Sequence, residues 1–99
     1  MKKMKLFIDT HDKHTGSFPE NISRDDFTSV FNQYQNAAQE EGVVVIKTLV
    51  NAGEGRMFCL NLAPDAEAVR RAHQKAGLKF DSITEVTTAS PGDLYFQWK

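Results

Sequence analysis

The stretch Gly55–Gly77, GRMFCLNLAPDAEAVRRAHQKAG, contains the pattern that decides the fold. Its first part, RMFCLNL, is typical of a β-strand and predicts one over about residues 56–62. Pro64 and Asp65 then open a helix, with Asp65 as the predicted N-cap, and Gly77 lies just past the predicted helix end. The helix carries an apolar stripe at spacings of three and four residues, formed by Ala66, Val69, Ala72, His73 and Ala76.

The segments before this stretch add a hairpin partner, a long helix and a first strand. VVVIKTLV is β-branched and apolar and predicts a strand over residues 43–50, which the turn NAGEG joins to RMFCLNL as an antiparallel hairpin. Farther upstream, Ser23 is the predicted N-cap of a helix, with Asp26 in the capping-box position. That helix is predicted to run to about Glu41 and to end at Gly42. MKLFI predicts the first strand, at about residues 4–9.

The segments after it complete the order of elements. SITEVTTA predicts a fourth strand, and the aromatic tail PGDLYFQWK predicts a short fifth strand around residues 94–96. The order strand, helix, strand, strand, helix, strand is that of the ferredoxin-like split βαβ arrangement, an α+β fold with an antiparallel sheet. The 99 residues contain no internal repeat or linker, so residues 1–99 are predicted to form a single domain.

The distribution of apolar residues predicts a homodimer. Both helices of this fold cover the same face of the sheet, but the predicted strands are apolar on both faces. Seven Phe, one Trp and two Tyr are also many aromatic residues for one core of this size. A second copy of the sheet would cover the remaining face, so we expect a dimeric α+β barrel with aromatic residues at the subunit interface.

Composition excludes several classes of function. The formal net charge is −1 and no basic stripe occurs, so nucleic acid is not an expected partner. The longest apolar run, VVVI, is too short to span a membrane, and the N-terminal residues lack the features of a secretory signal. Cys59 is the single cysteine, so no internal disulfide can form. We therefore expect a cytoplasmic protein with no membrane or nucleic-acid partner.

Chemically active side chains are concentrated in DTHDKH, residues 9–14, directly after the first strand. In the predicted topology the C-terminal end of the second helix lies at the sheet edge where the first strand ends. His73 should therefore meet Asp9 and His11 at one rim, and Asp9 and His11 share a face if the strand continues that far. Imidazole and carboxylate groups are ligands for borderline divalent metals such as nickel and zinc, and histidine is also the usual proton shuttle.

Each of these residues also has a plain structural explanation. His73 can be a boundary histidine that hydrogen-bonds a backbone carbonyl, and Asp9 and Asp12 can cap turns. His14 can be a solvated loop residue. Cys59, which is a thiolate ligand candidate, alternates with bulky apolar residues in mid-strand and is typical of a small core residue. No nucleophile elbow or phosphate-binding glycine loop occurs, so nucleophilic catalysis has no support.

Four segments, FIDTH, EEGV, GRMFCLNLAPDAEAVRRAHQKAG and ITEV, together resemble the DUF4242 family, whose members are described as nickel-binding-protein-like. The resemblance extends from about Lys5 to Leu94 and implies a ferredoxin-like fold and a dimer. His73 matches the family helix pattern A-x-A-V-R-R-x-H-x-x-x-G. In the nickel-binding branch of the family the first strand ends in adjacent histidines, whereas here Asp12 follows His11.

These observations lead to three functional hypotheses. The first is a non-catalytic domain that binds nickel or another divalent transition metal through His11 and His73, with Asp9, His14 and Asp12 as further candidate ligands. The second is a small-molecule-binding or enzymatic dimeric barrel in which His73 acts as acid or base and Asp9 orients it. The third is an interaction module that uses the aromatic tail, at Tyr95, Phe96 and Trp98.

Overall fold

A computed structural model describes residues 3–91 of the chain. A four-stranded sheet in the order β2-β3-β1-β4 and two helices make up the fold, and every neighbouring pair of strands is antiparallel. This is the ferredoxin-like α+β arrangement predicted from the order of elements. The elements are β1 (Lys5–Asp12), α1 (Arg24–Glu40), β2 (Val44–Asn51), β3 (Arg56–Ala63), α2 (Ala66–Ala76) and β4 (Ser82–Val86).

Both helices begin and end where the sequence predicts. The Ser23 hydroxyl accepts a hydrogen bond from the Asp26 N–H, and the Asp65 carboxylate accepts one from the Ala68 N–H. Gly77 has a positive φ of 68° and its N–H donates to the last turn of α2, which is the usual way in which a helix ends at glycine. These caps fix the position of α2 along the sheet and therefore the height of His73 above it.

The first strand is longer than predicted. Its ladder with β3 continues through the pair His11 and Met57 to the pair Asp12 and Arg56, so β1 ends at Asp12. Because side chains alternate along a strand, the extension places His11 on the same face as Asp9. The strand β4 is shorter than predicted and ends at Val86. The predicted fifth strand and the tail aromatic residues lie outside the described residues.

The two faces of the sheet have different surroundings. The helices cover one face, here called the covered face, where Phe7 of β1 and Ala63 of β3 pack against Val69 and Ala72 of α2. The opposite face, here called the open face, carries the alternate side chains of each strand. Phe58 and Leu49, which pair across the β2–β3 ladder, are 37% and 58% exposed there. Within residues 3–91, neither helix is long and apolar enough to cross a membrane.

Candidate metal centre

The covered face contains a polar cluster in the middle of the apolar core. Asp9 and His11 of β1 both face the helices, with 0% and 4% of their surface exposed. His73 lies in the last turn of α2 and is 1% exposed. The ring centroids of His11 and His73 are 5.5 Å apart. The convergence of the two sequence segments, which was inferred from topology alone, is therefore present.

The Asp9 carboxylate is the centre of this cluster. Its Oδ1 atom lies 2.7 Å from His11 Nε2 and 3.3 Å from His73 Nε2. One ligand atom from each of Asp9, His11 and His73 can be chosen so that all three lie within 4.8 Å of one another. These three side chains therefore form a possible ligand set for one metal ion.

Backbone carbonyls determine which imidazole nitrogens are available. His73 Nδ1 lies 2.8 Å from the Val69 carbonyl oxygen, and His11 Nδ1 lies 3.2 Å from the Ser17 carbonyl oxygen. A carbonyl oxygen only accepts, so each Nδ1 carries the proton in these contacts. The Nε2 atom of a neutral imidazole then presents a lone pair, and both Nε2 atoms face the same carboxylate oxygen. Such outer contacts are the usual way in which a protein orients metal-binding histidines.

The negative charge of the Asp9 carboxylate needs a positive charge beside it. Burial alone would raise the pKa of Asp9, but the hydrogen bonds with His11 and His73 and their charge outweigh burial and lower this pKa to about 2. Two neutral imidazoles would turn lone pairs toward an ionised carboxylate, which is repulsive. Either additional protons on the Nε2 atoms or a metal ion between the three groups removes that repulsion.

The two carboxylate–imidazole distances differ in the state of the cluster that they fit. A separation of 2.7 Å between Asp9 and His11 is that of a charge-assisted hydrogen bond. Two ligands of a tetrahedral ion, each bound at ~2.0–2.1 Å, lie about 3.3 Å apart, and Asp9 and His73 already have this separation. For an ion to replace a proton, His11 Nε2 would have to move away from Asp9 Oδ1, and the three ligand atoms already lie within 4.8 Å of one another.

The cluster is buried, which corrects the expectation of surface or rim histidines. Phe18 is 3% exposed and lines a narrow space next to His11, so the segment after β1 covers the site. Tyr34 and Phe80 place their rings 4.6 and 5.0 Å from the His73 ring. Topology places the histidines at the end of the sheet, but aromatic side chains of α1 and of the connecting segments cover that end and bury them.

Asp12 and His14 are not brought to this cluster. Asp12 lies on the other side of β1, where its carboxylate accepts hydrogen bonds from the His14 N–H and from Arg56 Nε. These contacts lower the pKa of Asp12, with the His14 N–H as the largest cause. His14 is exposed in a short 3-10 turn at Lys13–Thr15. A ligand role for these two residues stays a prediction and would require a site separate from the one described.

Cys59 lies opposite Asp9 in the β1–β3 ladder and is 3% exposed. Burial, followed by the negative charge of Asp9, raises the pKa of the Cys59 thiol to about 12. The sulfur also accepts a hydrogen bond from the Thr48 hydroxyl at 3.5 Å. Cys59 is therefore a neutral core thiol in this state.

Asn61 and Tyr34 complete the cluster, and neither is among the site residues predicted from the sequence. Asn61 donates to Asp9 Oδ2 at 2.8 Å, and the Tyr34 hydroxyl donates to Asn61 Oδ1 at 3.1 Å. A signal for Asn61 was available, because asparagine is disfavoured in strands and here occupies the inward face between Cys59 and Ala63. Tyr34 gave no such signal, since an aromatic residue three positions after Phe31 is typical of the apolar face of a helix.

A small cavity of about 20 Å³ lies beside both imidazoles, between α1 and β3. Phe27, Phe31 and Met57 are among the side chains that line it. It has room for about one water molecule. A larger molecule would have to displace the aromatic side chains of α1.

A family model and a crystal structure that are similar to this chain both belong to the SCO4226-like proteins. The family model described as nickel responsive protein SCO4226-like matches residues 7–86. The crystal structure of SCO4226 from Streptomyces coelicolor A3(2) has a TM-score of 0.73 and 29% sequence identity to this chain, and the alignment covers 86% of this chain and 99% of that one. Among curated proteins, none is similar enough in sequence to count as a relative. The nickel-related resemblance is thus confirmed, while the name DUF4242 stays a prediction.

Proposed function

The chain belongs to the SCO4226-like family of nickel-responsive proteins, and we propose that it binds a divalent transition metal ion of the nickel and zinc class at Asp9, His11 and His73. The observation that carries this proposal is the arrangement of the two imidazoles. Both Nδ1 atoms are held by backbone carbonyls, and both Nε2 atoms are directed at one buried carboxylate oxygen.

The chemistry of the ligands supports this class of metal. Two imidazole nitrogens and one carboxylate oxygen suit nickel, zinc, cobalt and ferrous iron, whereas calcium and magnesium prefer sites made entirely of oxygen. The contribution of the metal would be a positive charge shared by three ligands from β1 and α2. The contribution of the chain is to exclude water, to fix the tautomers and to hold the carboxylate ionised.

A non-catalytic role fits this site better than acid–base catalysis by His73. The cavity beside His73 holds only about one water molecule. Substrates of ordinary size therefore have no place next to the imidazole, and a proton acceptor must lie within hydrogen-bonding distance of the atom it serves. We propose a binding protein whose output is occupation of the site by the metal.

We further propose that the protein acts as a homodimer whose subunits pack through the open faces. Val44, Leu49 and Phe58 are large apolar side chains that stay 54%, 58% and 37% exposed in one chain. An apolar patch of this kind on a small chain favours a partner surface of the same character. A second copy of the sheet supplies such a surface through two-fold symmetry.

The metal proposal can be tested by calorimetric titration of the metal-free protein with Ni²⁺, Zn²⁺ and Co²⁺. We expect one ion per chain for the wild type and for His14→Ala, which removes the histidine outside the cluster. Binding should be lost in the His11→Ala, His73→Ala double variant. Because that variant opens space in the core, Asp9→Asn serves as a second variant of nearly unchanged shape, and circular dichroism checks its fold. Wild-type affinity in both variants would contradict the proposed site.

A further inference from the structure

Among residues 3–91, Asn61 is the one fully buried amide beside the proposed metal centre. It is 0% exposed and lies on β3 opposite Phe7, with its side chain on the covered face. The proposed metal ligands Asp9, His11 and His73 do not include it. Building on the proposed function, we infer that Asn61, held in place by Tyr34, limits Asp9 to binding metal through one oxygen and so determines which metals the centre accepts.

The hydrogen bonds around Asn61 have only one consistent direction. An ionised carboxylate only accepts, so the Asn61 group that faces Asp9 Oδ2 at 2.8 Å must be the NH₂ group. The other proton of that group points to the Cys59 carbonyl oxygen at 3.3 Å. Asn61 Oδ1 is then left as an acceptor for the Tyr34 hydroxyl at 3.1 Å. Every polar atom of the amide has a partner, so the side chain is fixed.

As a result, the two carboxylate oxygens of Asp9 have different partners. Oδ2 is occupied by Asn61, while Oδ1 is the atom next to both imidazole Nε2 atoms. With Oδ2 held by Asn61, a metal at the centre would bind Asp9 through Oδ1, together with the two imidazole nitrogens. Calcium takes 6–8 oxygen ligands and commonly uses both oxygens of a carboxylate. One available oxygen thus favours borderline ions that accept nitrogen over hard ions that require more oxygen.

Tyr34 contributes through position and not through direct contact with the metal. It lies on α1, and its ring is 4.6 Å from the His73 ring while its hydroxyl reaches across to β3. The Tyr34 hydroxyl donates to Asn61 Oδ1, which can only accept, so the direction of this hydrogen bond is fixed. Tyr34 therefore links the packing of α1 to the orientation of the carboxylate.

Three variants test this inference, each purified metal-free. Asn61→Asp replaces the donor by an acceptor and introduces a second carboxylate. Asn61→Leu removes the donor at similar volume, and Tyr34→Phe removes one hydroxyl. Thr48→Val is the matched control, because it removes a hydroxyl on the covered face that contacts Cys59 and not Asp9. The readouts are the ratio of Ni²⁺ to Mn²⁺ affinity, from competition with a chelator, and the visible absorption spectrum of the Co²⁺ form.

We expect the Ni²⁺ affinity of Asn61→Leu to fall by about 10- to 100-fold, the usual effect of losing an outer hydrogen bond at a metal site. Asn61→Asp should lower the ratio of Ni²⁺ to Mn²⁺ affinity and change the Co²⁺ spectrum, because an additional oxygen reaches the metal. Tyr34→Phe should also lower the ratio of Ni²⁺ to Mn²⁺ affinity and change the Co²⁺ spectrum, but less than Asn61→Asp does. Thr48→Val should change neither readout.

The outcomes separate this inference from the proposed function. If the wild type binds none of these metals, the proposed function fails and the inference fails with it. If the wild type binds Ni²⁺ and the folded Asn61 and Tyr34 variants keep its affinity ratio and its Co²⁺ spectrum, the inference alone is overturned. Should an Asn61 variant not fold, Tyr34→Phe decides the result, because it removes a single oxygen atom.

Discussion

The covered and open faces of the sheet each depart from the usual distribution of polarity. In most antiparallel sheets the packed face is apolar and the free face is polar. Here Asp9, His11 and Asn61 are buried under the helices, whereas Leu49 and Phe58 are exposed on the opposite side. Each departure has a cost, since buried polar groups lose water and exposed apolar groups order it. Both costs are explained if each face binds something, a metal ion on one and a second chain on the other.

The covered face also shows how a charged group is kept in a core. No buried side-chain nitrogen or oxygen in the described part of the chain lacks a hydrogen-bond partner. The Asp9 carboxylate is contacted by three side chains, those of His11, His73 and Asn61. A complete network of this kind specifies one arrangement but adds little stability over an apolar core. We therefore attribute its presence to binding.

The largest expected effect is on the covered face. Asp9→Asn keeps the shape of the side chain but removes its charge, and we expect the Ni²⁺ affinity to fall by about 100-fold or more, because two neutral imidazoles remain without an anionic ligand. Isothermal titration measures the effect. An affinity within a few-fold of the wild type would show that the ion does not bind at this cluster.

The next effect concerns the open face. Replacing Phe58 by Glu places a charge in the proposed subunit interface, and we expect the dimer dissociation constant to rise by about 10- to 100-fold, as for a buried unpaired charge in an interface. Light scattering coupled to size-exclusion chromatography measures the mass over a dilution series. Glu54→Lys, in the turn between β2 and β3, is the control for a change of surface charge. Equal masses for wild type and Phe58→Glu at every concentration would contradict the proposed interface.

Acid should reveal the charge of Asp9 in the metal-free protein. The pKa of Asp9 is about 2 in the folded chain against 3.8 for the ordinary side chain. A lowered pKa stabilises the fold above the unfolded value and loses its effect as the pH falls toward the folded value. The difference corresponds to about 2 kcal/mol, lost between about pH 4 and pH 2. Urea unfolding at several pH values should show this loss in the wild type, and a loss of the same size in Asp9→Asn would assign it to other groups.

The smallest effect is expected one residue away, on the open face. Thr10 lies between Asp9 and His11, and its hydroxyl contacts the Ser82 hydroxyl at 2.7 Å in an exposed position. We expect Thr10→Val to leave Ni²⁺ affinity unchanged and to alter the free energy of unfolding by about 0.5 kcal/mol or less. The same titration and urea experiments test it. A large loss of metal affinity would mean that the two faces are not independent.

Much of the fold could be predicted because its signals are local. Asp65, Gly77 and Ser23 mark helix ends by direct hydrogen bonds to neighbouring backbone, and the turn NAGEG permits only a hairpin. The end of β1 could not be predicted in the same way. Residues 10–12 are polar, and it is pairing with β3 that keeps them in the strand.

The site was predicted only in part, because much of it depends on contacts between segments that are far apart in sequence. Connectivity alone brings His73 toward Asp9 and His11, but contacts between distant segments decide how deep the cluster lies. The hydrogen bond from the Tyr34 hydroxyl to Asn61 joins α1 to β3 through two residues that are 27 positions apart in sequence. The carbonyl of Ser17, which fixes the His11 tautomer, depends on the path of a loop. Such contacts have no periodic signature in the sequence.

Anomalous scattering at the nickel absorption edge, from crystals grown with Ni²⁺, tests the central claim most directly. We predict one strong peak per chain, at about 2.0–2.2 Å from Asp9 Oδ1, His11 Nε2 and His73 Nε2, the usual range of such bonds. A peak at His14 or Asp12 instead, with the three buried side chains still hydrogen-bonded to one another, would contradict the account.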